Sequence, residues 1–435
     1  MERFALSRMK EWKENENRKP LIIRGARQVG KTWIMKTFGQ QYFEKTAYVN
    51  FDNNARMKQV FEGDLDIERL VLAISAETGV SIEAENTLII FDEIQEVPKA
   101  LTSLKYFHEN APQYAIVAAG SLLGVALHQG TSFPVGKVDF LDLYPLNFRE
   151  FLCAMGEKQF VSMLDSCDTQ MVTVFKTKYI ERLREYYFVG GMPEVVKDFS
   201  EKKDYNRVRA IQKNLINYYQ QDFSKHAEIK LTPRLNLVWN SIPMQLAKEN
   251  KKYIYGQVRK GSRAKDFELA IQWLLDCGLI HKVQRIQKPD LPLKAYIDFD
   301  AFKLFLVDIG LLIAMTDLDA KVIIEGNKIF TEFKGALTEQ YILQQLISDV
   351  GVIPYYYSTQ NSKGEIDFLV QGKTSVIPIE VKAEENLKAK SLKAFCEKYQ
   401  PSYAVRTSMS DYREQDWMTN IPLYAIKWIE NYVNQ

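Results

Sequence analysis

The amino-acid sequence predicts an α/β protein whose amino-terminal part is a parallel sheet covered by helices on both faces. Three observations carry this. An apolar run ending in Ile23 turns into Gly25-x-x-x-x-Gly30-Lys31-Thr32 and then into a helical pattern. A second apolar run, Leu88 to Phe91, delivers Asp92 and Glu93 at its carboxyl end. Strand and helix patterns alternate throughout this region, as a parallel sheet with crossover helices requires.

Each element follows from its residues. Gly25 and Gly30 let the backbone curl so that its N–H groups converge on an anion, and the helix that follows presents its positive end to the same point. Gly25, Ala26, Arg27, Gln28, Val29, Gly30, Lys31, Thr32 and Trp33 therefore form the expected ATP-binding loop. Lys31 would reach the β- and γ-phosphates, and the Thr32 hydroxyl would take a place on Mg²⁺. An ordinary glycine-containing turn has no need of a Lys-Thr pair at that point. Trp33 to Phe43 reads as a helix, Ala47 to Phe51 as a strand and Ile67 to Glu77 as a helix. Asp92, emerging beside the loop, would hold the metal's water shell, with Glu93 as the general base that polarises the attacking water. A helix over Leu101 to Glu109 leads to a strand at Tyr114 to Ala118. Ser121 leaves that strand and could meet a γ-phosphate, and a plain strand-end serine reads equally well. Val138 to Phe151 is a last strand followed by a turn.

Composition sets the limits. At 435 residues the chain is too long for one core, and two to four domains are expected. A formal net charge of +2 gives no global pull toward nucleic acid or membrane, so any such surface is local. The segment before Lys19 is dense in charge, lacks a signal-peptide core and reads as a surface helix. The apolar stretch Tyr114 to Leu127 is too short to span a bilayer. A cytoplasmic location and no membrane partner are expected. Cys153, Cys167, Cys277 and Cys396 are scattered and the histidines show no metal-binding grouping, which fits structural thiols in a reducing compartment.

The combination of the Gly-Ala-Arg-Gln-Val-Gly-Lys-Thr loop, Phe-Asp-Glu-Ile-Gln after the third strand, Leu-Tyr-Pro-Leu-Asn-Phe-Arg-Glu-Phe near residue 147 and Gly190-Gly191-Met192-Pro193-Glu194 resembles prokaryotic AAA-type P-loop ATPases. Those proteins carry an uncharacterised carboxy-terminal domain similar to restriction endonucleases, and the resemblance extends over nearly the whole chain. It departs at Gly136-Lys137, where relatives often have Gly-Arg. Lysine lacks the flat guanidinium fork that clamps a transferring phosphoryl group, which leaves Arg27 and Arg149 as further arginine-finger candidates.

Residues 155–230 read as a helical connector or lid, with Tyr179 to Phe188 and Asn206 to Phe223 its clearest helices. Residues 231–300 resemble a winged helix-turn-helix: a helix from Arg234 to Lys248, a basic turn, and a helix ending near Asp276 whose apolar stripe is Phe267, Ala270, Ile271, Leu274 and Leu275. Leu279 to Ile286 and Lys294 to Asp298 would be a two-stranded wing. Seven basic residues stand against Glu249 between residues 248 and 265, so DNA contact and a solvated charged face are both open.

In the last segment, 301–435, Glu365 to Val370 and Ile377 to Lys382 alternate with a period of two. Asp367, Glu380 and Lys382 then share one side of two strands joined near Gly372. Glu339 lies on the apolar stripe of a preceding helix, where a carboxylate requires a partner. An Asp, then Glu-x-Lys, with a helical Glu before them resembles PD-(D/E)xK nucleases. That resemblance implies that Asp367 and Glu380 bind Mg²⁺, Glu339 supports it and Lys382 activates water. An amphipathic hairpin with a solvated face is the alternative. With the ATPase domain placed at 1–154, two functions remain: an ATP-driven DNA-processing enzyme with a magnesium-dependent cutting site, and a nucleotide-controlled switch that binds a nucleic acid or protein partner without cleavage. Either is compatible with a homo-oligomer.

Overall fold

The computed structural model describes residues 1–120, 133–248, 251–324, 331–359, 364–384 and 389–435. Ser121 and Glu249 lie outside the described residues. The chain forms two compact units, Glu2–Tyr144 with Asp276–Leu279, and Pro145–Leu275 with Ile280–Gln435.

The first unit holds five strands, β1 (Leu21–Arg24), β2 (Lys45–Asn50), β3 (Thr87–Asp92), β4 (Ala115–Ala119) and β5 (Asp139–Asp142), in the order β2-β3-β4-β1-β5. Every pairing is parallel, as expected. β3 and β4 are buried along their whole length, which explains their continuous apolar runs. Phe51, Phe61 and Phe91 meet edge-on, with ring centroids 5.4, 5.4 and 5.8 Å apart. Crossovers are made by helices, among them Lys31–Tyr42, Ile67–Thr78 and Pro98–Asn110. Ile67–Thr78 is capped by Asp66 and ended by left-handed Gly79. The first helix, Ala5–Glu14, is more than a surface element, because Met9 and Trp12 are buried.

The second unit begins with helices, including Phe148–Ala154, Lys176–Val189 and Tyr205–His226. Gly190-Gly191 follows the second of these because two chain segments meet there. A Cβ on Gly191 would lie 2.1 Å from the Leu146 carbonyl, and the Leu146 amide donates to the Gly191 carbonyl at 2.7 Å. An eight-stranded mixed sheet completes the unit: β6 (Ile280–Ile286), β7 (Ile297–Leu306), β8 (Tyr355–Ser358), β9 (Glu365–Gln371), β10 (Val376–Val381), β11 (Val405–Ser408), β12 (Arg413–Gln415) and β13 (Met418–Pro422). Their order is β12-β13-β11-β10-β9-β8-β6-β7.

This sheet corrects the expectation of a separate two-stranded wing. β6 and β7 do pair antiparallel, but β6 also pairs with β8 through Arg285 and Ile286. β7 starts at Ile297, later than expected, and its last six residues are buried. A strand covered on both faces belongs to a core sheet, and the sequence signal for that was the apolar run after Asp300, interrupted by Lys303 alone. The helices Thr232–Leu246 and Ala264–Asp276 are present, and Phe267, Ala270, Ile271 and Leu274 are buried as the stripe predicts. Among the described residues no helix is long and apolar enough to cross a membrane.

Candidate functional site

The carboxyl edge of the five-stranded sheet gathers the predicted loop residues. Gly25 has φ +148° and a Cβ there would sit 2.1 Å from the Leu143 carbonyl, so the backbone passes where only glycine fits. Gly30 is left-handed and starts the helix Lys31–Tyr42. Ala26 and Val29 are buried and anchor the loop, whereas Arg27, Gln28 and Trp33 are exposed. The Lys31 side chain is buried and its Nζ donates to the carbonyls of Gly25 and Ala26, each at 2.8 Å. Burial pulls the Lys31 ammonium down to about 8, with the Glu93 and Asp92 carboxylates opposing the shift.

Asp92 ends β3. It lies beside the loop as expected, although β4 stands between β3 and the loop strand β1. Its side chain spans that gap, and the Thr32 Oγ1 donates to Asp92 Oδ2 at 2.6 Å. The same oxygen accepts from the Tyr48 hydroxyl at 2.9 Å, and Oδ1 accepts from the Glu93 amide at 3.1 Å. Burial, then Asp92, raises the Tyr48 phenol above its ordinary value, so it remains a neutral donor. Lys36 lies over the Tyr48 ring at 3.7 Å. Glu93 follows in a left-handed conformation, φ +50°, and its Oε2 accepts from Gln95 Nε2 at 2.7 Å. Non-glycine residues held in that region mark sites where side-chain direction matters more than backbone comfort.

Two residues of this site carried no sequence signal. Tyr48 was an unremarkable strand residue. Arg3 is buried and donates to the carbonyl of Val29 at 3.0 Å and of Tyr144 at 2.6 Å, tying the loop to the chain beyond β5. An arginine far ahead of the loop could be found only from its fold.

A hydroxyl and a carboxylate in contact, flanked by a loop built for close backbone approach, are the hard oxygen donors magnesium takes, so Thr32 and Asp92 fit that ion. Of the arginine-finger candidates, Lys137 pairs with Glu109 at 3.0 Å. Arg149 belongs to the second unit and pairs with Asp165 at 2.6 Å and Asp349 at 3.4 Å.

In the second unit Glu339 and Glu380 are buried, whereas Asp367 and Lys382 are half-buried. Glu339 and Glu380 are 5% and 4% exposed. They are not brought together as a metal site: among the described residues no group of three histidine, cysteine or acidic side chains could hold an ion. Glu380 pairs with Lys382 at 2.6 Å and accepts from the Leu392 amide at 3.0 Å. Asp367 accepts from the Val381 amide at 2.7 Å. Glu339 is taken by two lysines that the motif does not contain, Lys251 and Lys303. Lys303 also pairs with Glu365 at 2.5 Å. Burial, then Glu339, pushes Asp367 up to about 7. These carboxylates are engaged by ammonium groups and amides, and Glu339 Oε2, which accepts no hydrogen bond, has the Lys303 ammonium at 3.6 Å.

Residues 17–152 match the family described as AAA domain, which places the five-stranded region among AAA-type P-loop domains. Residues 180–322 match a domain of unknown function (DUF8612), and residues 334–426 match another (DUF4143). The chain is similar in structure to the Walker-type ATPase PABY2304 of Pyrococcus abyssi, at 15% identity and TM-score 0.44, over 72% of this chain and 95% of that one. It is similar to the Aeropyrum pernix ORC1 protein solved in complex with DNA at 14% identity and TM-score 0.27, over 72% and 91%. No curated protein sequence matches the chain.

Proposed function

We propose that this chain binds ATP with magnesium at the Gly25–Thr32 loop, hydrolyses it, and uses the cycle to control how its second unit engages a partner. The observation that carries this is the 2.6 Å contact between Thr32, at the start of the loop helix, and Asp92, at the end of β3, at the mouth of a glycine-built loop. Loop amides and the start of the helix at Lys31 would receive the phosphate oxygens. Lys31 would exchange the Gly25 and Ala26 carbonyls for β- and γ-oxygens, and in doing so regain its full charge. Magnesium on Thr32 and Asp92 would supply charge neutralisation at the same oxygens. Glu93 would take the proton of the attacking water, with Gln95 fixing its carboxylate. Tyr48 would hold Asp92 in place.

DNA is the partner this reading favours. Of the seven basic residues between 248 and 265, Lys251 is drawn inward to Glu339, whereas Arg259, Lys260, Arg263 and Lys265 are exposed. Four cations on one short segment suit phosphate contacts.

Binding of a fluorescent ATP analogue in Mg²⁺ tests the first step. Lys31→Ala should weaken it roughly 100-fold, the effect of deleting a buried charge-assisted contact. Equal affinity in native and Lys31→Ala chains would refute the site.

A further inference from the structure

The second unit contains a charged cluster that the ATPase reading does not use. Lys303 lies on β7 with a side chain that is 0% exposed. A buried ammonium requires counter-charge within a few ångströms. It has Glu365 Oε1 at 2.5 Å, Glu339 Oε2 at 3.6 Å and the ring of Tyr356 at 4.8 Å. Lys251 holds the other Glu339 oxygen. Asp367 lies close enough to both lysines to feel their charge. Glu339 and Glu365 thus hold two ammonium groups, Lys251 and Lys303, between them.

The scaffold that sets this arrangement is itself polar and hydrogen-bonded. On the helix Thr331–Gln345, Gln340 exchanges two hydrogen bonds with the backbone of Leu306, at 2.7 and 3.0 Å. One turn on, Gln344 accepts from the Ile309 amide at 3.1 Å. These bonds fix the helix against the end of β7, and so fix Glu339 over Lys303.

We propose that the Lys303 ammonium is the resident cation of this carboxylate cluster, standing where a nuclease would carry a divalent metal, so that the second unit engages its partner without metal-dependent cutting. Lys303 has no exposed surface through which to leave, and a divalent ion brought to Glu339 or Asp367 would meet its charge directly. Glu380 and Lys382 neutralise one another in the same manner nearby.

The test is Mn²⁺ binding to the full chain, followed by electron paramagnetic resonance, with Asp92→Asn present throughout to silence the amino-terminal ligand. The native cluster should show no saturable Mn²⁺ site up to millimolar metal, and Asp367→Asn should change nothing. A saturable site that Asp367→Asn abolishes would overturn the proposal. Lys303→Met should lower the melting temperature by roughly 10 °C in the absence of metal, because it strands buried carboxylates. A melting temperature equal to that of the native chain would also overturn it. The native arm needs no Lys303 variant to fold. Neither arm depends on nucleotide, so failure here leaves the ATPase reading untouched.

Discussion

Lys31 offers the sharpest quantitative prediction. Its ammonium is buried and drawn down to about 8 while it donates to the loop carbonyls. A triphosphate would favour the charged form, so binding must take up a proton wherever free Lys31 is partly neutral. At pH 8 the uptake should be about half a proton per ATP, and near pH 6.5 close to none. Only the protonated fraction binds without a penalty, so affinity should fall roughly tenfold between pH 7 and pH 9, about 1.4 kcal/mol. Calorimetry in buffers of differing ionisation enthalpy measures the uptake, and the same titrations give the affinity. Lys31→Arg is the control, because a guanidinium stays charged and should flatten the profile even if it binds more weakly. Absence of proton uptake at pH 8, with affinity unchanged to pH 9, would refute the reasoning that places Lys31 at the phosphates.

Three further outcomes follow from the geometry. Gly25→Ala forces a Cβ to 2.1 Å from the Leu143 carbonyl, and should cost on the order of 2 kcal/mol or more in chemical denaturation; a change below about 0.5 kcal/mol would contradict the close approach. Burial pushes the Asp308 carboxyl up to about 6 against the hydrogen bonds it accepts from Gly191 and Leu311. Its folded value is raised, so its contribution to stability is complete below the ordinary aspartate value and is lost as pH rises through about 6. Asp308→Asn does not titrate, so the native advantage over it should shrink by about 2.4 kcal/mol from pH 4 to pH 7, and an advantage independent of pH would count against this. If Arg259, Lys260, Arg263 and Lys265 contact DNA phosphates, the logarithm of affinity should fall against the logarithm of salt with a slope of roughly −3.6, and replacing all four with alanine should bring it near zero; an unchanged slope would move the interface elsewhere.

How much of this was legible in the sequence depended on how local the cause was. The loop was fully legible, because Gly25, Gly30, Lys31 and Thr32 act through backbone geometry and spacing within one turn. Asp92 was legible as a carboxylate at a strand end, but the strand between it and the loop was not, since strand order is a long-range property. Glu339 was read correctly as a buried carboxylate in need of a partner. The partners it has in the fold were not legible: Lys303 and Lys251 come from segments 36 and 88 residues away, and a lysine in an apolar run looks like an interruption until its counter-ions are placed. The wing failed for a related reason, because a hairpin pattern cannot say whether its outer edge stays open. Arg3 and Tyr48 had no signal of any kind.

The most direct test of the central claim is steady-state ATP turnover of the full chain beside Glu93→Gln, with nucleotide affinity measured on both. Glu93→Gln should bind Mg²⁺-ATP as the native chain does and lose turnover by two orders of magnitude or more, since its amide cannot accept the proton of water. Turnover equal to that of the native chain would contradict the account, because the carboxylate aimed from the end of β3 would then have no part in the reaction.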